Sequence, residues 1–153
     1  MGDKSVIEAT ADELSYLAGF IDADGYVSIQ RSAKDRVYFG CRLGLNGNRP
    51  GPARFAARIL GGKVSHKKPS DGYGWHRYGT RAAPALRALL PLFQIKAPQA
   101  RLALEAQELV EEGHRGQRLE RLYRELLSLQ VRQNAHNRSV MSEVQTPTEE
   151  VAV

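Results

Sequence analysis

The apolar residues change their spacing once in the first third of the chain, and they do so at a glycine. Leu14, Leu17, Ala18 and Ile21 recur at helical spacing, and Gly25 ends that run. From Tyr26 to Asn46 the period is two. "YVSIQRS" and "RVYFGCRLGLN" read as strands joined by a turn at "AKD". Val27 and Ile29 share one face of the first strand, and Phe39, Cys41, Leu43 and Leu45 share one face of the second. The other face carries Ser28, Gln30, Ser32, Tyr38, Gly40, Arg42, Gly44 and Asn46. Each strand is therefore apolar on one side and polar, basic or small on the other.

"TADE" at 10–13 matches a capping box, with Thr10 as N-cap and Glu13 reaching back. "NRPGP" at 48–52 opens a short helix closed by Gly61 and Gly62. "KVSHKKP" and "YGWHRYG" suggest a second hairpin around "SDG". Pro84 starts a helix, another runs from about Pro98 to Glu112, and a last one carries Leu119, Leu122, Leu126 and Leu129. The order predicts an α+β fold with helices on one face of an antiparallel sheet. Residues 1–9 read as a flexible arm, 10–138 as one domain and 139–153 as a disordered tail.

Charge is unevenly spread. The net charge is +5, with −5 over residues 1–25, +13 over 26–101 and −3 over 102–153. A middle segment this basic suits a polyanion partner or a solvated basic surface. Cys41 is the single cysteine, which excludes an intrachain disulfide and fits a reducing, intracellular compartment. No apolar run approaches the length of a membrane span, and no signal peptide is expected. The four histidines lack metal-ligand spacing.

Leu17–Gly25 reads "LAGFIDADG", and this string resembles the signature of the LAGLIDADG homing endonucleases, with Phe20 in place of leucine. The predicted element order, α-β-β-α-β-β-α, is that family's core. The string occurs once, so the chain is similar to single-motif members from organelle introns, which work as homodimers. The resemblance implies a site-specific endonuclease that hydrolyses phosphodiester bonds in a long, pseudo-palindromic double-stranded DNA site. It places the protein in an organelle (chloroplast or mitochondrion) or in bacterial or phage cytoplasm.

The resemblance also assigns residues. Two motif helices would pair through a stripe of small residues, Ser15, Gly19 and Ala23, with Ala18 and Asp22 completing the interface. From the residues alone the same stripe suits either a close helix pair or close packing on the protein's own sheet. Asp24 would bind Mg²⁺, with the Ala23 carbonyl beside it, and Mn²⁺ or Ca²⁺ fits the same site. Asp22 reads as structural near the helix end rather than as a ligand. "LPLFQIKAPQARLAL" resembles the segment leading into the family's long helix and makes Lys96 the basic residue near the reacting phosphate. The polar residue expected at the end of the second strand is Asn46 or Asn48, followed by Arg49 or Arg54. Asn48 and Arg49 thus join Asp24 and Lys96 as the catalytic set, in a segment that departs from the family pattern.

The DNA readers would be Ser28, Gln30, Ser32, Tyr38, Arg42 and Asn46 from the first hairpin, and Ser65, Lys67, Trp75 and Arg77 from the second. Lys34, Arg36 and Lys68 would touch phosphates. Trp75 suits base contact and core packing equally. The rival readings are a cleavage-deficient relative, acting as an intron RNA maturase or DNA binder, and one subunit of a two-motif enzyme.

Overall fold

A computed structural model describes residues 8–33, 37–67 and 72–145. Helix α1 spans Ala11–Asp24, and strand β1 begins at the next residue, Gly25–Ala33. Strand β2 is Val37–Gly47, α2 is Pro50–Leu60, β3 is Val64–Lys67 and β4 is Gly72–Tyr78. Three helices follow: α3 Ala82–Leu89, α4 Ala97–Glu111 and α5 Gln117–Gln145. Short 3-10 turns flank α3 at Gly79–Arg81 and Leu90–Leu92.

The four strands form one antiparallel sheet in the order β1-β2-β4-β3. β2 and β4 are therefore central. The core lies between one face of this sheet and the helices: Val27, Ile29, Cys41, Leu43, Leu45 and Trp75 meet Leu17, Ile21, Leu86, Leu89 and Ala103. Leu119, Leu122 and Leu126 of α5 close it from outside, as the leucine stripe implies. The α+β reading and the α-β-β-α-β-β-α core hold.

Local chemistry explains the ends of α1. The Glu13 N–H donates to Thr10 Oγ1 at 3.1 Å and the Thr10 N–H donates to Glu13 Oε1 at 3.1 Å, the capping box read in the sequence. At the other end Gly25 is extended, with φ −95° and ψ −169°, so it is not a left-handed cap. Its role is close approach: a Cβ there would lie 2.7 Å from the Gly44 carbonyl oxygen and 2.9 Å from Ile21 Cα. Both are backbone atoms and cannot swing aside. Gly61, at φ 77°, ends α2 in the left-handed region where glycine is favoured.

Two buried glutamines tie the layers together. Gln107 Oε1 on α4 accepts the Cys41 N–H of β2 at 3.1 Å, and Gln99 pairs with Gln133 of α5. The Cys41 thiol donates to the Gly79 carbonyl at 3.2 Å, and burial pushes its pKa up to about 12. It is a packed, unreactive thiol.

One boundary moves. α5 continues to Gln145, so residues 139–145 of the expected tail are helical. The remainder of that tail and residues 1–7 of the expected arm lie outside the described residues.

Gly25→Ala should destabilise the fold by about 1–3 kcal/mol through backbone overlap, read as a lower thermal midpoint. A midpoint equal to the wild type's would show that α1 can stand further from β2.

Candidate metal and nucleic-acid site

The last turn of α1 carries Asp22 and Asp24, and the fold treats them oppositely. Asp22 is 7% exposed. Its Oδ2 accepts the Gln94 N–H at 2.7 Å, and its Oδ1 accepts those of Lys96 at 2.9 Å and Ile95 at 3.3 Å. The 94–96 segment leads into α4, so Asp22 ties the end of α1 to the start of α4. Asp24 is exposed, and no hydrogen bond or ion pair holds its carboxylate among the described residues. The last turn of α1 carries no basic residue either.

The same tie places Lys96. Its Nζ donates to the Asp22 main-chain oxygen at 2.7 Å. Burial holds the ammonium below the ordinary lysine range, while the carboxylates of Asp22 and Asp24 pull the other way. Lys96 is thus a half-buried cation within electrostatic reach of Asp24.

On its other side Asp24 borders a cleft of about 370 Å³ between the ends of α1 and β2 and the start of α2. Asn46, Asn48 and Arg49 line it, with Phe20 and Tyr73 supplying apolar wall. The sequence-predicted set of Asp24, Asn48 and Arg49 is therefore brought together, with Asn46 beside it and Lys96 behind Asp24. Ala23 lies in the last turn, where helix carbonyls lack an intrahelical partner. An unpaired carboxylate with a free carbonyl beside it is a hard-oxygen donor set that fits Mg²⁺. Among the described residues no three His, Cys, Asp or Glu side chains gather.

Two of the expected interface residues are corrected. Ala18 is 0% exposed and packs with Leu17 and Ile21, and Asp22 is occupied by the 94–96 segment. Both lie on the core side of α1. Ser15, Gly19 and Ala23 are exposed instead, and a Cβ added at Gly19 would meet nothing within 4 Å. Packing of this stripe on the protein's own sheet is thereby excluded.

The uncovered sheet face carries most of the expected readers. Gln30, Ser32, Tyr38, Asn46 and Ser65 are exposed, and Ser28 and Arg42 are half-buried. Lys67 is the last residue of β3, and Lys34, Arg36 and Lys68 lie outside the described residues. Trp75 and Arg77 are corrected. Trp75 is 0% exposed, pairs with Leu45 and Val64, and its Nε1 donates to the Gly61 carbonyl at 2.7 Å. Arg77, two residues on, follows it to the helix side, against Gly61 and Gly62 at the end of α2. A cation suits the negative end of that helix.

The inward turn of Trp75 puts His76 and Tyr78 on the open face, where they meet Tyr26 and Arg42. Neither Tyr26 nor Tyr78 stands among the predicted readers. The usable signal was the bulk of Trp75, which fixes the parity of β4.

No protein-family model matches the chain, and no curated protein is detectably similar to it in sequence. Solved structures are similar. The homing endonuclease I-CvuI, in complex with the I-CreI target in the presence of Mg and with its DNA not cleaved, has TM-score 0.68 and 24% identity over 76% of this chain and 81% of that one. The archaeal intron-encoded homing endonuclease I-Vdi141I, complexed with DNA, gives 0.67 and 18% over 77% and 84%. The group I intron-encoded I-CeuI, also complexed with DNA, gives 0.55 and 13% over 70% and 59%.

Asp22→Ala should strand three backbone N–H groups and lower stability by roughly 2–4 kcal/mol, while Asp24→Asn leaves the denaturant midpoint unchanged or raises it. Equal losses for the two variants would refute this division of roles.

Proposed function

We infer that this chain, which has the LAGLIDADG homing-endonuclease fold, is a site-specific, metal-dependent endonuclease that cuts double-stranded DNA as a homodimer. The observation that carries the reading is the unpaired Asp24 carboxylate at the exposed end of α1, facing a cleft lined by Asn46, Asn48 and Arg49. Mg²⁺ held by Asp24 and the Ala23 carbonyl of two copies, together with phosphate oxygens, would activate a water and stabilise the leaving oxygen of an in-line phosphodiester cleavage.

The chain's own residues divide the remaining work. Lys96, a cation held in place by the Asp22 carbonyl, stabilises negative charge that grows on the phosphoryl oxygens. Asn46 and Asn48 can orient the attacking water by hydrogen bonding, and Arg49 can pair with a phosphate. The uncovered sheet face lies in the major groove and reads the site. Helix α1 pairs with its copy through Ser15, Gly19 and Ala23, which brings two Asp24 side chains to one seam. The compartment is proposed to be intracellular, because this reading needs access to chromosomal or organellar DNA.

Plasmid cleavage in Mg²⁺ tests the chemistry. Wild type should cut at a discrete site, Asp24→Asn should not, and Lys96→Met should cut roughly 10²- to 10³-fold more slowly. Gly19→Leu should sediment as a single subunit and lose cutting, because the added side chain wedges the paired helices apart. Duplex binding with no cutting by the wild type would return the cleavage-deficient reading. A fully active Gly19→Leu dimer would exclude the pairing.

A further inference from the structure

The middle of the open sheet face holds an arginine in a frame of aromatic rings. Arg42, on the central strand β2, lies with its guanidinium carbon 4.6 Å from the Tyr26 ring centroid and 5.4 Å from that of Tyr78. Its Nε donates to Tyr26 Oη at 3.1 Å. The frame is itself braced: Tyr26 Oη hydrogen-bonds His76 Nδ1, and the His76 and Tyr78 rings lie 6.1 Å apart.

This bracing crosses β2 above Gly44. A Cβ at Gly44 would lie 2.5 Å from Tyr26 Oη and 2.6 Å from His76 Nδ1. The glycine therefore leaves room for β1 and β4 side chains to meet over the strand between them. Burial raises the Tyr26 pKa, so the phenol stays neutral and can donate to His76 while it accepts from Arg42.

The frame uses one donor of Arg42 and leaves the rest. No described residue accepts from its two terminal amino groups. A free arginine side chain samples many rotamers, and much of that freedom is lost here before any ligand arrives. The frame fixes the guanidinium plane, so what it presents is a flat, two-pronged donor edge.

We propose that Arg42 is the guanine-reading residue of each half-site, positioned by Tyr26 and Tyr78. The inference rests on the DNA-binding part of the reading above. Guanine offers N7 and O6 side by side in the major groove, and no other base presents two acceptors there. A phosphate would also accept two N–H groups. Arg42 is on a central strand, however, with Ser28 of β1 on one side and Tyr78 of β4 on the other. That is where base edges meet a sheet lying in the groove, and phosphates meet its margins.

Binding selection from a randomised duplex library, without added magnesium, tests this with the full chain. The wild type should require guanine at one position per half-site. Changing that guanine to adenine should weaken binding about 10- to 100-fold. Arg42→Gln should abolish this preference, and Arg42→Lys, which keeps the charge and stem, should reduce it to a few-fold. Tyr26→Phe should reduce the preference several-fold although Arg42 is intact. An unchanged guanine preference in Arg42→Gln overturns the assignment. So does an equal loss of affinity for every sequence, which would make Arg42 a phosphate contact. A wild type that binds with this preference but does not cut removes the nuclease reading and leaves Arg42 as the reader. One that cuts with no guanine requirement does the reverse, and one that binds no duplex removes both.

Discussion

Three backbone N–H groups converging on the Asp22 carboxylate hold the functional end of this molecule together. Two acidic residues at the C-terminal end of a helix are unfavourable, because the helix dipole is negative there. The fold resolves the conflict for one of them. Asp22 takes its donors from the segment just ahead of α4, and its main-chain oxygen takes the Lys96 ammonium as well. Asp24, two residues on, receives no such compensation. The last turn of α1 thus joins a structural carboxylate to a free one, and the first fixes the position of the second. Gly25 completes the arrangement by letting β1 begin at once, with α1 close against the Gly44 carbonyl.

The sheet face is organised by absence of side chains as much as by their presence. Gly44 and Gly74 lie on the two central strands. A Cβ at Gly74 would come within 3.0 Å of Asn46 Oδ1 and of His76 Nε2, and within 3.1 Å of Ser65 Oγ. Tyr26 of β1 and His76 of β4 therefore meet over β2, and Asn46, Ser65 and His76 close in over Gly74. A glycine in a strand interior weakens the strand. Here that weakness is offset by a layer of polar and aromatic groups whose positions are set by their neighbours.

What the sequence discloses and conceals follows from how each element is stabilised. The first hairpin was legible because Val27, Ile29, Cys41, Leu43 and Leu45 alternate cleanly with polar or small residues. The capping box was legible because Thr10 and Glu13 act locally. β4 was not, because "YGWHRYG" mixes polar and aromatic residues on both faces. Its parity depends on the Trp75 indole finding the Gly61 carbonyl, a contact set by tertiary packing. Reading Trp75 outward also hid Tyr78, since one wrong parity inverts a whole strand. Ala18 and Asp22 were misplaced for a similar reason. A small or charged residue beside an exposed stripe looks like part of it, until the helix rotation puts it against Leu17 and Ile21. The placement of Asp24 at the end of α1 was legible because its string is local, whereas the Asp22 contacts span more than seventy residues of sequence.

The outer face of α1 carries a glycine at position 19. Glycine in a helix interior is about 1 kcal/mol less favourable than alanine. At Gly19 nothing within one protomer repays this, because the space beyond its Cα is open. The neighbours on that face, Ser15 and Ala23, are also small and exposed, while Tyr16 stands 58% exposed beside them. A lone protomer would be more stable with alanine at 19. The glycine becomes favourable when a second backbone lies against it, at a distance that a methyl group would forbid. The same helix ends in the exposed Asp24, so on the proposed homodimer reading the partner that would account for Gly19 would also bring a second carboxylate to the proposed metal site. Helix pairing at Gly19, in the middle of α1, and metal binding at Asp24, at its C-terminal end, would on that reading be coupled through one helix.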